Sequence, residues 1–456
     1  MDAVRGKPYQ VLLVVSVGTL LSAMTGSMVN LALPSLGRDL GISLQASRWV
    51  VQVLLLVMGA LLLPAGRLAD GLGHRLVYLW GFVLFATASL LCGLAPSFAW
   101  LVVARALQGI GGALILATSP ALLTLSFPPQ QRGRALGLQA TATYLGLALG
   151  PALGGVIVAG LGWRWTFLVY VPASLLILVL GLFLLPRGGN RLGTPPDLLA
   201  TGQLLLGMPL LLLGLSWSRD GVLSPRVLVP VFTGMVLLIA FSRRQGRLDS
   251  PVLDLGLFHS RVFFSSVLAA LCNYVALFVA LIMLPFYLEE GLGMPTQRVG
   301  LVLTVQPALM ALVASPAGWL SDRIGSRGLA AGGLALVAAG LWWLAGLGAG
   351  TGLPSIVAGL AAVGLGVGLF VSPNTSALMG SAPRHQQGQA GAMMAESRIL
   401  GMFLGVALAS AVFAALGGRT GHAWQPVEFR ALAGALRSGA LAALAGALLA
   451  WLRGRS

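Results

Sequence analysis

The sequence predicts an all-α integral membrane protein in which two six-helix bundles and two inserted helices give fourteen transmembrane helices. Three observations predict this fold class. Of the 456 residues, 57% are hydrophobic and 9% are charged, whereas soluble domains carry roughly 25% charged residues. Apolar stretches long enough to cross a hydrocarbon core of ~30 Å recur along the whole chain. A short charged loop also occurs twice, about half a chain apart.

Fourteen apolar segments are long enough to be membrane helices. Their predicted bounds are 10–33, 47–67, 76–95, 99–125, 134–159, 165–185, 197–217, 226–243, 262–289, 297–319, 329–348, 353–379, 389–416 and 430–452. The first is longer than the roughly 7–15 residues of a signal-peptide core, so we expect it to be a retained helix. The segment 226–243 is the weakest, and twelve spanning helices would follow if the middle pair were re-entrant.

The repeated loop is the feature that divides the chain. Its first copy contains Gly66, Asp70, Gly73 and Arg75, and its second copy, 252 residues later, contains Gly318, Asp322, Gly325 and Arg327. This offset aligns the first six segments with the last six. It predicts an N-terminal six-helix bundle (1–188), a linker with two inserted transmembrane helices (189–255) and a C-terminal six-helix bundle (256–456). Paired repeats of this kind build transporters that alternate access to a site between their halves.

The basic residues indicate the orientation in the membrane. The net charge is +16, and 17 of the 28 Lys and Arg residues fall in loops and ends on one predicted side, against eight on the other. By the positive-inside rule, both termini are expected in the cytoplasm of a multi-pass inner (plasma) membrane protein. The basic residues form no stripe, so we expect membrane lipids rather than nucleic acid as partners.

Enzymatic and metal chemistry are not indicated by the sequence. The two cysteines, Cys92 and Cys272, lie in apolar segments and predict neither a disulfide nor a metal site. No Gly-rich phosphate loop, Cys/His ligand cluster or Ser-His-Asp arrangement is apparent. We therefore expect no enzyme activity, no cofactor and no metal, and we expect a monomer.

Each copy of the charged loop is predicted to act as a gate. Gly66 and Gly73 permit close helix approach and a tight turn with positive φ. Asp70 precedes the next helix and is expected to contact that helix's partial positive charge and nearby arginines. Such a contact would stabilise one conformation and break in another. The alternative is that both loops are polar turns that set topology only.

Two charged residues inside apolar segments are candidates for proton coupling. Glu396 is the one acidic residue well inside a predicted segment, and an intramembrane carboxylate is a candidate proton carrier. Arg398, two positions on, lies on a nearly opposite helix face. Arg105 shares a face with Gln108. The alternatives are that Glu396 is solvated near the cytoplasmic mouth and that Arg105 extends to the outer headgroups.

A glycine stripe and a set of intramembrane polar residues complete the candidate site. Gly146, Gly150 and Gly154 recur at every fourth position, beside Pro151 and Gly155, and predict a close helix contact with a hinge. Generic helix packing is the alternative. The predicted cavity-lining residues are Ser22, Thr25, Asn30, Gln52, Gln108, Tyr144, Asn273, Tyr274, Gln306 and Asn374. Hydrogen bonding between helices is the alternative role for any one of them.

These motifs resemble those of the major facilitator superfamily, in its fourteen-helix drug:proton antiporter branch. The segment Arg105 to Gly112 is similar to the superfamily's Arg-x-x-Gln-Gly signature, and Gly150 to Gly155 is similar to its antiporter motif Gly-Pro-x-x-Gly-Gly. The Asn30-x-Ala-Leu-Pro34 ending of the first segment matches as well. The resemblance implies a role for Arg105 in proton coupling.

The chain departs from that branch at one position that concerns the proton. The branch usually has an Asp five residues before the Asn of its first segment, and this chain has Thr25 there. We expect a secondary active transporter that exports amphipathic compounds by proton antiport with alternating access, coupled through Glu396, Arg105 and Asp70. The alternatives are an exporter or flippase of an endogenous lipid or metabolite, which Thr25 favours, and a non-transporting membrane sensor or scaffold.

Overall fold

Long helices make up nearly all of the described structure. The computed structural model describes residues 8–42, 44–47, 49–186, 197–217, 224–246, 248, 251, 253–418 and 424–453. Within these ranges there are fourteen long helices and no strand. They are α1 (Pro8–Asp39), α2 (Trp49–Leu72), α3 (His74–Gly93), α4 (Phe98–Ser126), α5 (Arg132–Leu161), α6 (Tyr170–Leu184), α7 (Leu198–Ser216), α8 (Pro225–Gln245), α9 (Arg261–Phe286), α10 (Thr296–Ile324), α11 (Ser326–Leu344), α12 (Leu353–Ser381), α13 (Gln387–Ala415) and α14 (Pro426–Leu452).

The helices coincide with the predicted segments, and the predicted fold class is confirmed. Within the described residues, thirteen helical segments are long and apolar enough to cross a membrane. The remaining helix, α7, has a shorter apolar part, Leu199–Leu215. The segment with the weakest prediction, 226–243, forms α8 and is among the thirteen.

The inserted helices α7 and α8 pack against each other and are joined by an ion pair. Asp197 caps α7 by accepting a hydrogen bond from the backbone N–H of Ala200, and its carboxylate lies 2.9 Å from the Arg244 guanidinium of α8. This guanidinium holds the pKa of the Asp197 carboxyl down at about 2. Helix α7 also packs on α2 and α13, so the inserted pair lies against both halves of the chain.

Both copies of the charged loop are sharp breaks between consecutive helices. Gly73, between α2 and α3, has φ 98°, and Gly325, between α10 and α11, has φ 86°. These values lie in the left-handed region that L side chains rarely adopt, so the chain needs glycine at both breaks. The expected tight turns are present in both copies.

The helix packing repeats between the two halves. Helices α1 and α5 pack together as do α9 and α13, and α2 and α4 as do α10 and α12. The halves meet through two equivalent pairs, α5 with α10 and α13 with α2. The division into bundles at 188/189 and 255/256 stays a prediction, and its first boundary lies outside the described residues.

Candidate functional site

A cavity of about 260 Å³ lies between the two halves of the chain. Helices α1 to α5 line it from the first half, with α3 contributing Phe85, and α9, α10, α12 and α13 line it from the second. Its wall is mainly apolar, with side chains such as Leu54, Phe278, Met310 and Met394. Such a wall suits a hydrophobic or amphipathic ligand, since methionine and aromatic side chains adapt to irregular apolar shapes.

Four of the predicted cavity residues do line this cavity. They are Ser22, Thr25, Tyr144 and Tyr274. Tyr144 and Tyr274 approach it from opposite halves. The Thr25 hydroxyl donates a hydrogen bond to the carbonyl of Leu21 in its own helix at 3.1 Å. The side chain of Asn30 lies outside the described part of the structure.

The other predicted polar residues are not among the described residues that line the cavity. They are Gln52, Gln108, Asn273, Gln306 and Asn374. Asn374 is instead buried between helices, where its amide donates to the carbonyl of Ser266 at 2.9 Å and accepts from Arg453 at 3.1 Å. The prediction failed for these residues because the rotation of each helix about its axis decides whether a polar side chain faces the cavity or a neighbouring helix.

Arg105 is fully buried in a hydrogen-bonded network inside the first half. Its Nε donates to the Val50 carbonyl at 2.6 Å, and its Nη1 donates to Gln108 Oε1 at 2.6 Å. The Gln108 amide in turn donates to the Ser89 hydroxyl at 2.8 Å. The alternative that Arg105 extends to the outer headgroups is excluded by this burial. Gln108 serves to position Arg105.

Glu396 is buried and unpartnered. Its side chain is 1% exposed, and neither carboxylate oxygen accepts a hydrogen bond from any described residue. Its neighbours on the helix, Ala392 and Ile399, pack with α2 and α7. The alternative of a solvated residue at a mouth does not fit this burial, although Glu396 is not among the residues that line the cavity.

Asp70 joins the two halves at one end of the molecule. Its Oδ1 accepts from the backbone N–H of Gly388 at 2.7 Å, and its Oδ2 accepts from that of Gln389 at 3.0 Å. Asp70 therefore contacts the N-terminus of α13 in the other half. The sequence predicted that Asp70 would contact the N-terminus of the helix that follows it, whereas its backbone hydrogen bonds go to α13. From the following helix, the side chain of His74 lies near, with Nε2 3.6 Å from the carboxylate.

Asp322 forms the equivalent contact from the second half. Its Oδ1 accepts from the N–H of Gly133 at 2.8 Å, and its Oδ2 accepts from that of Arg134 at 2.9 Å. These atoms belong to the N-terminus of α5 in the first half. The two contacts, called here the Asp70 contact and the Asp322 contact, place a carboxylate on the partial positive charge of a helix N-terminus.

Glycine pairs make both contacts possible. A Cβ on Gly388 would lie 2.3 Å from the Gly66 carbonyl oxygen, and one on Gly318 would lie 2.1 Å from the Gly133 carbonyl oxygen. Either approach is too close for any side chain. At this end of the molecule the two halves therefore meet by close backbone approach as well as by the Asp contacts.

The arginines of the repeated loops hold helices within their own halves. Arg75 donates to the Leu182 carbonyl at the end of α6 at 2.7 Å. Arg327 stacks over Trp451 near the end of α14, with its guanidinium carbon 4.5 Å from the ring centroid. The two helices are equivalent in the repeat. Within the described part of the chain, no ion pair joins Arg327 to Asp70 or Asp322.

The glycine stripe of α5 packs against α1. A Cβ on Gly146 would lie 2.4 Å from the Leu20 carbonyl oxygen, and one on Gly154 would lie 2.8 Å from Met28 Cγ. Gly155 has open space beside it, and the side chain of Pro151 lies outside the described part. Gly150 is buried in the same helix, which runs unbroken from Arg132 to Leu161. A hinge here stays a prediction.

Gly133, Gly388 and the position of Arg398 at the cavity were not predicted from the sequence. A repeated signal marked the glycines, because the sequence Pro-x-x-x-x-Gly occurs at Pro128 to Gly133 and again at Pro383 to Gly388. Arg398 lines the cavity. Its position two residues from Glu396 on another helix face was visible, but which face met the cavity was not.

Comparison with known proteins identifies related chains over nearly the full length. The family model described as Major Facilitator Superfamily matches residues 15–258 and 266–456. The chain is 33% identical over 417 residues to puromycin resistance protein pur8 of Streptomyces alboniger, covering 88% of this chain and 81% of that protein. It is 30% identical over 409 residues to riboflavin transporter RibZ of Clostridioides difficile (strain 630), covering 89% and 88%.

A solved structure shares the fold. The crystal structure of the human organic anion transporter MFSD10 aligns with a TM-score of 0.65, covering 97% of this chain and 99% of that chain. The two sequences are 16% identical, so the likeness concerns the fold alone.

Proposed function

The chain belongs to the Major Facilitator Superfamily and is a multi-pass membrane transporter rather than an enzyme, and on this premise we propose that it exports amphipathic compounds by proton antiport with alternating access. The observation that carries the proposal is the largely apolar cavity between the halves, beside an unpartnered buried carboxylate. The resistance named for pur8 supports export. We propose that the protein is located in an inner membrane, with both termini in the cytoplasm.

Alternating access is proposed to follow from the Asp70 and Asp322 contacts. Both lie at the same end of the molecule, because α2 and α10 end there and α5 and α13 begin there. With both formed, this end of the cavity region is closed. Breaking them would let α13 and α5 move away from α2 and α10 and open it.

Glu396 is proposed to carry the coupled proton. A buried carboxylate without hydrogen bonds is stable in the membrane only when protonated, and it releases the proton when a conformational change brings it water. Thr25 stands where the related branch has a carboxylate, and its hydroxyl does not exchange a proton at physiological pH. Arg105 is proposed to support coupling through its network with Gln108, and Asp70 is proposed to link gating to the proton.

Transport by protein reconstituted into liposomes tests this coupling. With a pH gradient imposed, the wild-type protein is expected to accumulate members of a panel of amphipathic compounds that includes anionic, neutral and cationic ones, puromycin among them. Glu396→Gln should abolish that accumulation and retain exchange of the same compounds in the absence of a gradient. Glu428→Gln is the matched control, because Glu428 is also buried but its carboxylate accepts a hydrogen bond in the cap of α14. Accumulation by Glu396→Gln at the wild-type rate would refute the assignment.

A second candidate function is export of an endogenous metabolite or lipid. Thr25 at the cavity wall favours it, since the described lining residues include no carboxylate that could pair with a cationic drug. The relative RibZ is named a riboflavin transporter. Riboflavin and a long-chain phospholipid tested beside puromycin in the same liposomes separate the two candidates.

A further inference from the structure

Arg398 is the one charged side chain among the described residues that line the cavity. The remaining described wall is apolar, apart from hydroxyl and amide groups. Arg398 is partly exposed in the structure, and it reaches the cavity from α13. The described residues of the cavity wall therefore carry a net charge of one positive unit, and they include no carboxylate, lysine or histidine.

No described carboxylate neutralises this guanidinium. Arg398 forms no ion pair within the described part of the chain. Glu396 is two positions away on a different face and is itself buried without a partner. A cation inside a membrane protein is costly unless an anion or water compensates it. An anionic ligand in the cavity would supply the compensating charge that no described carboxylate supplies.

Two tyrosines add hydrogen-bonding capacity beside Arg398. Tyr144 and Tyr274 line the same cavity as Arg398, and they approach it from opposite halves of the chain. A guanidinium and phenolic hydroxyls are the donors that bind a carboxylate or sulfonate. Phe278, on the same wall, offers an aromatic surface to the rest of a ligand.

We propose that the cavity selects amphipathic anions: molecules with an apolar, preferably aromatic body and one carboxylate or sulfonate bound by Arg398. This inference rests on the proposed export through the same cavity and names its substrate class. A cationic compound keeps the apolar contacts but is repelled by Arg398, and the described wall residues include no carboxylate to pair with it. A neutral compound loses the charge-assisted hydrogen bonds to the guanidinium but keeps the apolar contacts.

Three dansyl probes that differ in charge test the selectivity. Dansylglycine is an anion, dansylamide is neutral and dansylcadaverine is a cation, and all three fluoresce more strongly in an apolar site. Titration of purified full-length protein in detergent is expected to give the wild type at least about tenfold higher affinity for the anion than for the neutral probe, with the cation weakest.

Variants at Arg398 assign that preference to its charge. Arg398→Gln should bring the anion's affinity down to that of the neutral probe, while the affinity for the neutral probe changes little. Arg398→Lys keeps the charge and should retain most of the preference. Arg437→Gln is the control, because Arg437 is an exposed arginine of α14 that stacks on Trp342 outside the cavity.

The outcomes separate this inference from the proposed function. Equal or lower affinity for the anion in the wild type, no binding of any probe, or an anion preference that persists in Arg398→Gln would overturn the inference. Proton-driven accumulation of neutral or cationic compounds together with such a result would leave the antiport proposal intact. Anion-selective binding without any proton-driven transport would support the inference and refute antiport.

Discussion

The Asp70 and Asp322 contacts predict a measurable shift in conformation when their carboxylates are removed. Each aspartate accepts two backbone N–H groups from a helix N-terminus in the opposite half, at 2.7–3.0 Å. In Asp70→Asn and Asp322→Asn, one acceptor oxygen remains, while the second acceptor oxygen and the negative charge of the carboxylate are removed. The side chain keeps its size, so packing around it is preserved.

The magnitude follows from the lost bond and charge. A hydrogen bond to a charged group contributes about 1.5–3 kcal/mol. Because each aspartate is hydrated once its contact is broken, we expect each substitution to cost the closed state about 2 kcal/mol, which is a ~30-fold shift in the closed-to-open ratio. The two contacts involve different helices, so the double variant is expected to approach about 4 kcal/mol.

Distances between spin labels across the closed end report this shift. With Cys92 and Cys272 replaced by alanine, labels at Leu72 and Ile324 lie at the ends of α2 and α10, where the side chains are 52% and 67% exposed. Double electron–electron resonance should show a longer distance gaining population in each single variant and dominating in the double variant.

A matched control separates gating from general loss of charge. Asp39→Asn removes a carboxylate at the opposite end of the first half, where Asp39 accepts from Trp163 and pairs with Arg164. It should leave the label distances unchanged. If the distance distribution of the double variant matches that of the wild type, the contacts do not hold the closed state, and the repeated loops are topology signals only.

Two further predictions concern the same helices and the inserted pair. Gly388→Ala places a Cβ 2.3 Å from the Gly66 carbonyl oxygen, so it should increase the distance between the same pair of spin labels, as Asp70→Asn does. Gly380→Ala is the control and should leave that distance unchanged, because a Cβ at position 380 would have no atom within 4 Å. Asp197 has a pKa lowered to about 2 by Arg244, against about 3.9 in an unfolded chain, so its contribution to stability is present above about pH 4 and lost as the pH falls through 2. The melting temperature of Asp197→Asn, followed by tryptophan fluorescence, should therefore lie below that of the wild type at pH 6 and converge with it near pH 2.

The fold was predictable because membrane helices are encoded locally. Length and apolarity located all fourteen long helices of the described structure, and the repeat offset predicted which helices are equivalent. The positive φ of Gly73 and Gly325 was also predictable, since a charged break between two long helices requires a tight turn. Each of these features depends on residues adjacent in sequence.

The partners of the site residues were not predictable, because they depend on how the helices rotate and which ends meet. Asp70 has a helix N-terminus next to it in sequence, yet it contacts one 318 residues away. Gln108 and Asn374 are polar residues inside apolar helices, as cavity-lining residues often are, yet both side chains face neighbouring helices. Periodicity places Glu396 and Arg398 on different faces but does not say which face meets the cavity.

The site therefore combines a symmetric part with an asymmetric part. The Asp contacts and glycine crossings occur in both halves, and closure of one end needs both copies. The charged groups occur once: α12, the helix equivalent to α4, carries no charged residue that would match Arg105, and Arg398 has no counterpart among the described residues that line the cavity from the first half. Because both contacts lie outside the cavity wall, changing them should alter the rate for every transported compound by a similar factor. Changing Arg398 should alter the ranking of compounds by charge, so the two kinds of variant separate movement from recognition.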